Sequence, residues 1–309
     1  MDPAMLVSAI GFVVGIVLLV KGADVFVGGA GGLAARLRIS STLAGITVAA
    51  FGTSFPELIV GIEAALVDNP GLALGNVIGS TVANIALVLA VCAIVNPDVI
   101  SKEPGVQGIS EVALMLGATL LFAILALRMI FDPIAAALML TAFALIMWRL
   151  ISLGVVPETH LETHGPRDYL LTGAGLAAVI IGADLLVTTA TDIALVFGIS
   201  PFVIGVSMVA VGTSLPELAT SLVAVVRGEG GISVGNIIGS NIFNLLFVTG
   251  AVALIHPIPI GSYADILGMV LFTVAILPFF AGSSRVRRCW GVLMLAAYAG
   301  YIALLYRSF

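Results

Sequence analysis

Glu57 and Glu217 stand in the same setting, 160 residues apart: Gly52-Thr53-Ser54-Phe55-Pro56-Glu57 and Gly212-Thr213-Ser214-Leu215-Pro216-Glu217. At the same offset, Gly75-Asn76-Val77-Ile78-Gly79-Ser80 recurs as Gly235-Asn236-Ile237-Ile238-Gly239-Ser240. Each acid lies in an apolar run long enough to cross a bilayer. A charge there is costly, so an intramembrane acid is a functional hypothesis by default. The proline before each acid has no N–H, so the carbonyl of Gly52 loses its intrahelical donor and the helix should break. Free carbonyls at such a break are tolerated where they line a cavity. Thr53 and Ser54 precede Glu57 by four and three residues and share its face. Thr213 and Ser214 do the same for Glu217. Ser80 and Asn84, and again Ser240 and Asn244, are i, i+4 pairs. The set is all oxygen, which suits a hard cation, and the motifs hold no His or Cys for zinc or copper. One Ca²⁺ would neutralise two carboxylates, and Na⁺ would compete for the same oxygens. Mutual exclusion at one pocket with access alternating between two sides is exchange.

Plainer readings stand beside this one. Ser and Thr in membrane helices often bond the carbonyl four residues back, so any one hydroxyl alone has a structural explanation. Asn76 and Asn236 could serve as interhelical hydrogen-bonders. Asp24 and Asp184 match across the repeat but read as structural. Lys21 lacks a counterpart and is placed to pair with Asp24 or to snorkel toward the interface. Glu63 and Glu111 receive no role.

The elements that must hold these residues follow from composition. The chain is 61% hydrophobic and 9% charged, against about 25% charged in soluble domains. Its net charge of −5 gives no reason to expect a nucleic-acid partner. Cys92 and Cys289 belong to no disulfide or metal pattern. The fold class is an all-α integral membrane protein. At about 20 apolar residues per span, ten helices are expected, over 6–32, 42–67, 71–95, 107–127, 133–152, 167–196, 202–226, 231–255, 262–280 and 288–306. Between Gly22 and Ala90 the chain matches residues 182–250 without a gap, and 25 of 69 positions are identical. An offset of five helices is odd, so the second copy enters the membrane from the opposite side. The expectation is two inverted five-helix repeats, 1–152 (first motif 45–90) and 167–309 (second motif 205–250). The linker 153–166 carries Glu158, His160, Glu162 and His164, read as a solvated segment rather than a metal site. Nine basic residues (Arg36, Arg38, Lys102, Arg149, Arg167, Arg227, Arg285, Arg287, Arg288) fall on one side of this arrangement, and Arg128 and Arg307 on the other. The positive-inside rule then puts both termini outside and the linker in the cytoplasm of a multi-pass cell-membrane protein.

The doubled motifs resemble those of the cation/calcium antiporter superfamily, specifically its prokaryotic sodium/calcium exchangers, and the resemblance covers the whole chain. It implies ten helices with the second, third, seventh and eighth around the ions, and the first and sixth as a tilted sliding pair. It implies a Ca²⁺ site on Glu57 and Glu217 with the carbonyls of Thr53 and Thr213. Na⁺ sites would add Ser54, Ser80, Ser214 and Ser240 and the carbonyls of Ala50 and Ala210, with Asn84 and Asn244 at the centre. It also implies exchange of three Na⁺ for one Ca²⁺. Asn244 stands where potassium-dependent members have Asp. Gly79 and Gly239 stand where proton-coupled members have Glu. The linker is too short for the regulatory domain of animal members. The expected partners are Ca²⁺, Na⁺ and the lipid bilayer, with no nucleic acid, no cofactor, no enzymatic activity and a single chain as the transport unit. A Ca²⁺/H⁺ or other cation/H⁺ antiporter would use the same carboxylates, and a cation channel is the alternative of another class.

Overall fold

The computed structural model describes residues 3–98, 108–153, 163, 165–197 and 212–307. Among the described residues, six helices are long and apolar enough to cross a membrane: Met5–Leu37, Pro70–Val95, Pro133–Ser152, Arg167–Val196, Gly230–Ile255 and Tyr263–Phe280. A seventh span results if Ser41–Thr53 and Phe55–Leu66, bent by 42° at Ser54, are taken together. We number the helices α1 Pro3–Leu37, α2 Ser41–Thr53, α3 Phe55–Leu66, α4 Pro70–Val95, α5 Gly108–Ala126, α6 Pro133–Leu153, α7 Arg167–Val196, α8 Leu215–Arg227, α9 Gly230–Ile255, α10 Tyr263–Val274, α11 Leu277–Phe280 and α12 Ser284–Arg307.

Several limits differ from expectation, each for a local reason. The first helix runs on to Leu37 and stops where Arg38 takes φ 56°. Ser40 then caps α2, its Oγ accepting from Leu43 N–H at 3.1 Å. The run expected over 262–280 is interrupted between α10 and α11, where Pro278 enters the first turn of α11. The last helix starts at Ser284, so Arg285, Arg287 and Arg288 are helical. Gly228, at φ 82°, closes α8 with a left-handed cap, and Glu229 N–H reaches back to Ala224 O at 2.8 Å. Of the segment expected over 202–226, residues 212–226 are described, and the helix among them, α8, starts at Leu215. Lys102, Glu158, His160, Glu162, His164 and Ala210 lie outside the described residues.

Apolar side chains fill most of the interior and also cover the outer surface, and the polar residues of the two motifs are buried among them. α4 and α9 form the centre, burying Val77, Val82, Ile85 and Val88 against Ile237, Ile242, Leu245 and Val248. The peripheral helices turn Val7, Ile10, Val17, Leu138, Leu145, Leu170, Ile181, Leu267 and Leu271 outward. α1 and α7 pack antiparallel along nearly their whole length. Small residues let their backbones touch: a Cβ on Gly15 would lie 2.9 Å from Leu186 N, and one on Gly22 2.8 Å from Val179 N. α9 approaches α2 as closely, since a Cβ on Gly45 would lie 2.6 Å from Ile232 O. A two-residue antiparallel pair, Ile130–Phe131 with Ile258–Pro259, joins the α5–α6 connection to the α9–α10 connection.

Candidate cation site

The first proline-bearing motif breaks as the missing N–H demands, and the second opens a helix with the same local geometry. Ser54 (φ −89°, ψ 8°) separates α2 from α3, and Pro56 lies in the first turn of α3. Ser214 (φ −88°, ψ 1°) and Pro216 take the corresponding places at the start of α8. Glu57 and Glu217 therefore occupy the first turns of half-helices, where the helix dipole favours negative charge. At the same break Ser54 N–H reaches the carbonyls of Ala50 and Gly52, and Leu58 N–H reaches Ser54 O at 3.3 Å. The carbonyl of Ala50 is in part engaged, accepting from Ser54 N–H at 3.0 Å. α4 and α9 carry the remaining motif residues, and each changes to a π-helical turn at its central amide, Asn84–Leu89 in α4 and Phe243–Val248 (with Asn244) in α9. Such turns recur at functional positions in other helices.

The two copies meet. Ser54 Oγ donates to Glu217 Oε1 at 2.9 Å, from one motif to the other. Ser80 Oγ donates to Glu57 Oε1 at 3.4 Å and lies 3.4 Å from Thr213 Oγ1. Thr53 Oγ1 is 3.1 Å from Asn236 Oδ1, and the repeat-related Thr213 Oγ1 is 3.4 Å from Asn76 Oδ1. Thr53, Ser54, Glu57, Ser80, Asn84, Ser214, Glu217, Ser240 and Asn244 are all buried. Six of these carry an oxygen with no hydrogen-bond partner among the described residues: Glu57 Oε2, Glu217 Oε2, Asn84 Oδ1, Asn244 Oδ1, Ser214 Oγ and Ser240 Oγ. Each unpaired buried polar atom costs about 1–3 kcal/mol. These unpaired oxygens are concentrated on the residues of one repeated motif.

Some polar residues here escaped sequence reasoning. Ser221 is one: its Oγ accepts from Nδ2 of Asn236 at 3.0 Å, while Asn236 Oδ1 accepts from Thr53, the interhelical role expected of that amide. Asn241, fully buried, accepts from Asn84 Nδ2 at 3.0 Å. Thr220 is buried one turn beyond Glu217. The repeat mates of Thr220, Ser221 and Asn241 are Val60, Gly61 and Thr81, so comparison of the copies passes over all three. Their signal was helical spacing, since Thr220 follows Glu217 and Asn244 follows Asn241 by three residues. Asp24 is engaged by Arg227 at 2.8 Å, on another helix, in place of the pairing with Lys21 one turn away.

A family model described as sodium/calcium exchanger protein matches residues 7–152 and 168–307. The chain therefore belongs to the sodium/calcium exchanger family: it is a multi-pass membrane protein and a cation/calcium antiporter. It is 34% identical to the uncharacterized membrane protein MJ0091 of Methanocaldococcus jannaschii, over 97% of this chain and 99% of that one. It is 28% identical to the sodium/calcium exchanger MaX1 of Methanosarcina acetivorans, over 94% and 96% respectively. The structure of the sodium-calcium exchanger NCX_Mj soaked with 10 mM Na⁺ and zero Ca²⁺ matches with TM-score 0.85 at 32% identity, covering 97% of this chain and 99% of that one.

Proposed function

We propose that the protein exchanges Na⁺ for Ca²⁺ across the cell membrane, three to one, at a single site shared by its two motif copies. The observation that carries this reading is the cross-connection of the carboxylates. Ser54 of one copy bonds Glu217 of the other, while Ser80 joins Glu57 to Thr213. A Ca²⁺ seated on Glu57 and Glu217 with the carbonyls of Thr53 and Thr213 balances their charge. Na⁺ ions would take the outer oxygens of Ser54, Ser80, Ser214 and Ser240 with the carbonyls of Ala50 and Ala210, and Asn84 and Asn244 border the centre. A cycle that moves one net charge gains or loses about 2.3 kcal/mol per 100 mV of membrane potential.

Sodium rather than proton coupling is favoured by Gly239. A Cβ there would lie 2.5 Å from Ile46 O and 2.7 Å from Ala50 Cβ, so the Glu of proton-coupled relatives has no room between α2 and α9. At the repeat mate Gly79 a Cβ would meet nothing within 4 Å, and only the residue's identity argues against proton coupling. Ten spans in two inverted halves, 1–152 and 167–309, give the geometry for alternating access. The termini lie outside and the linker 153–166 in the cytoplasm, as the basic residues argue. The α1–α7 pair slides over the remaining helices. In support, α7 lies against both broken turns: a Cβ on Gly52 would meet Leu176 at 2.6 Å, and one on Gly212 would meet Val187 at 2.8 Å. An apolar cleft of about 490 Å³, lined in part by Phe51, Phe55, Leu176 and Phe247, separates α7 from the core beside the first break.

The test is ⁴⁵Ca²⁺ uptake into proteoliposomes loaded with Na⁺ and diluted into Na⁺-free medium. Uptake that requires internal Na⁺ and ignores a pH gradient is the expected result. Uptake driven by a proton gradient alone would move the protein to cation/H⁺ exchange, and conductance without countertransport would make it a channel.

A further inference from the structure

Asn84 and Asn244 are equivalent in the repeat, yet their surroundings are not. Asn84 Nδ2 donates to Asn241 Oδ1 at 3.0 Å. The other end of the Asn241 amide is held too, with Nδ2 3.7 Å from the Met115 thioether sulfur of α5. A thioether accepts a weak hydrogen bond and donates none. Turning the Asn241 amide over would set its oxygen against that sulfur and its NH₂ against the NH₂ of Asn84. Met115 thus selects one orientation of Asn241, and Asn241 selects one orientation of Asn84. In that orientation Asn84 Oδ1, the end of the amide that Asn241 does not hold, is buried and without a partner among the described residues.

Asn244 has no such support. The repeat mate of Asn241 is Thr81, whose hydroxyl donates one turn back to Val77 O at 2.8 Å. Both Oδ1 and Nδ2 of Asn244 are buried with no hydrogen-bond partner among the described residues. Its amide is free to offer oxygen to a cation or NH₂ to a carboxylate oxygen.

We propose that Asn241, backed by Met115, is a positioning residue that locks Asn84 with its oxygen toward the ions, making Asn84 a permanent cation ligand and leaving Asn244 as the adaptable one. This rests on the reading of the site as one that exchanges Na⁺ and Ca²⁺. The lock supplies a pre-oriented oxygen whose reorientation need not be repeated when ions change, and pre-organisation of this kind raises affinity without a new contact.

The test is a double-mutant cycle on Na⁺-driven ⁴⁵Ca²⁺ uptake in proteoliposomes, with KM and kcat measured separately. Asn241→Leu removes the acceptor that holds Asn84, and Met115→Leu conserves volume while removing the sulfur. In the otherwise native chain, Asn241→Leu is expected to raise the Ca²⁺ KM about tenfold and Met115→Leu about threefold, each exceeding the change in kcat. In an Asn84→Ala background both effects should fall below about twofold, because the amide they position is gone. Equal effects in the two backgrounds, or an unchanged KM for both single variants, would overturn the assignment. If Asn241→Leu fails to fold, Met115→Leu with and without Asn84→Ala decides by the same criterion. A native chain without Na⁺-driven uptake would sink the exchanger reading and this inference with it, whereas a native chain that exchanges while the cycle is additive sinks the inference alone.

Discussion

The motif copies around Glu57 and Glu217 share their chemistry but not their support. Glu57 receives Ser80 from its own copy, and Glu217 receives Ser54 from the other. The repeat mates of those serines, Ser240 and Ser214, leave their hydroxyl oxygens unpartnered among the described residues. The second copy also carries Thr220, Ser221 and Asn241 where the first has Val60, Gly61 and Thr81. Of these, Ser221 braces Asn236 and Asn241 braces Asn84 from the second copy's side, while Thr220 Oγ1 is buried without a partner among the described residues. Duplication can therefore supply two equal sets of ligands while the shell behind them diverges. Burial explains why: each ligand must face the ions, but a brace is needed once per cross-copy contact and can come from either side.

The comparison breaks most visibly if the two acids are unequal. Glu57→Gln and Glu217→Gln are each expected to lower Na⁺-driven Ca²⁺ uptake roughly 100-fold or more, since loss of a buried charged partner costs about 3 kcal/mol. A variant of either that retains substantial uptake would show that one carboxylate suffices. The serines come next. Ser54→Ala takes from Glu217 a hydrogen bond to a charged group, worth about 1.5–3 kcal/mol, so the Ca²⁺ KM should rise roughly tenfold or more. Ser214→Ala removes a hydroxyl that the carboxylates do not use, so its effect should appear in the Na⁺ concentration for half-maximal exchange. Equal shifts in both measurements for both variants would erase the distinction between the copies.

A smaller effect is expected for the brace. Ser221→Ala leaves the buried Asn236 Nδ2 without its acceptor and should destabilise the protein by about 1–2 kcal/mol. Thermal melting in detergent would show it. The smallest concerns the contact of α1 with α8. Arg227 bonds Asp24 at 2.8 Å, but both side chains are well exposed, at 39% and 48%. Its repeat mate is Val67, so the tie exists once. After discounting for solvent screening, Arg227→Gln should change stability by about 0–1 kcal/mol. If α1 slides, the same variant should alter the rate of exchange and its dependence on ionic strength. A rate identical to that of the native chain across salt concentrations would leave the ion pair without a part in the motion.

Much of this protein was legible in its residues. Sixty-one per cent apolar composition decides for a membrane, because a chain so poor in charge has no other solvent. The recurrence of Pro56 and Glu57 as Pro216 and Glu217 marks where the helices break and where charge is buried, since both properties belong to the residue types themselves. The family is legible for the same reason. Tertiary structure alone decided which partner each group takes. Ser54 is three residues from Glu57 in sequence but bonds Glu217, because the break at Ser54 turns its hydroxyl toward the other copy. Asp24 takes Arg227 rather than Lys21 because α8 ends beside α1. Asn241 was hidden because its repeat mate is Thr81: internal comparison finds what two copies share, and packing across a pseudo-symmetric interface needs each brace only once.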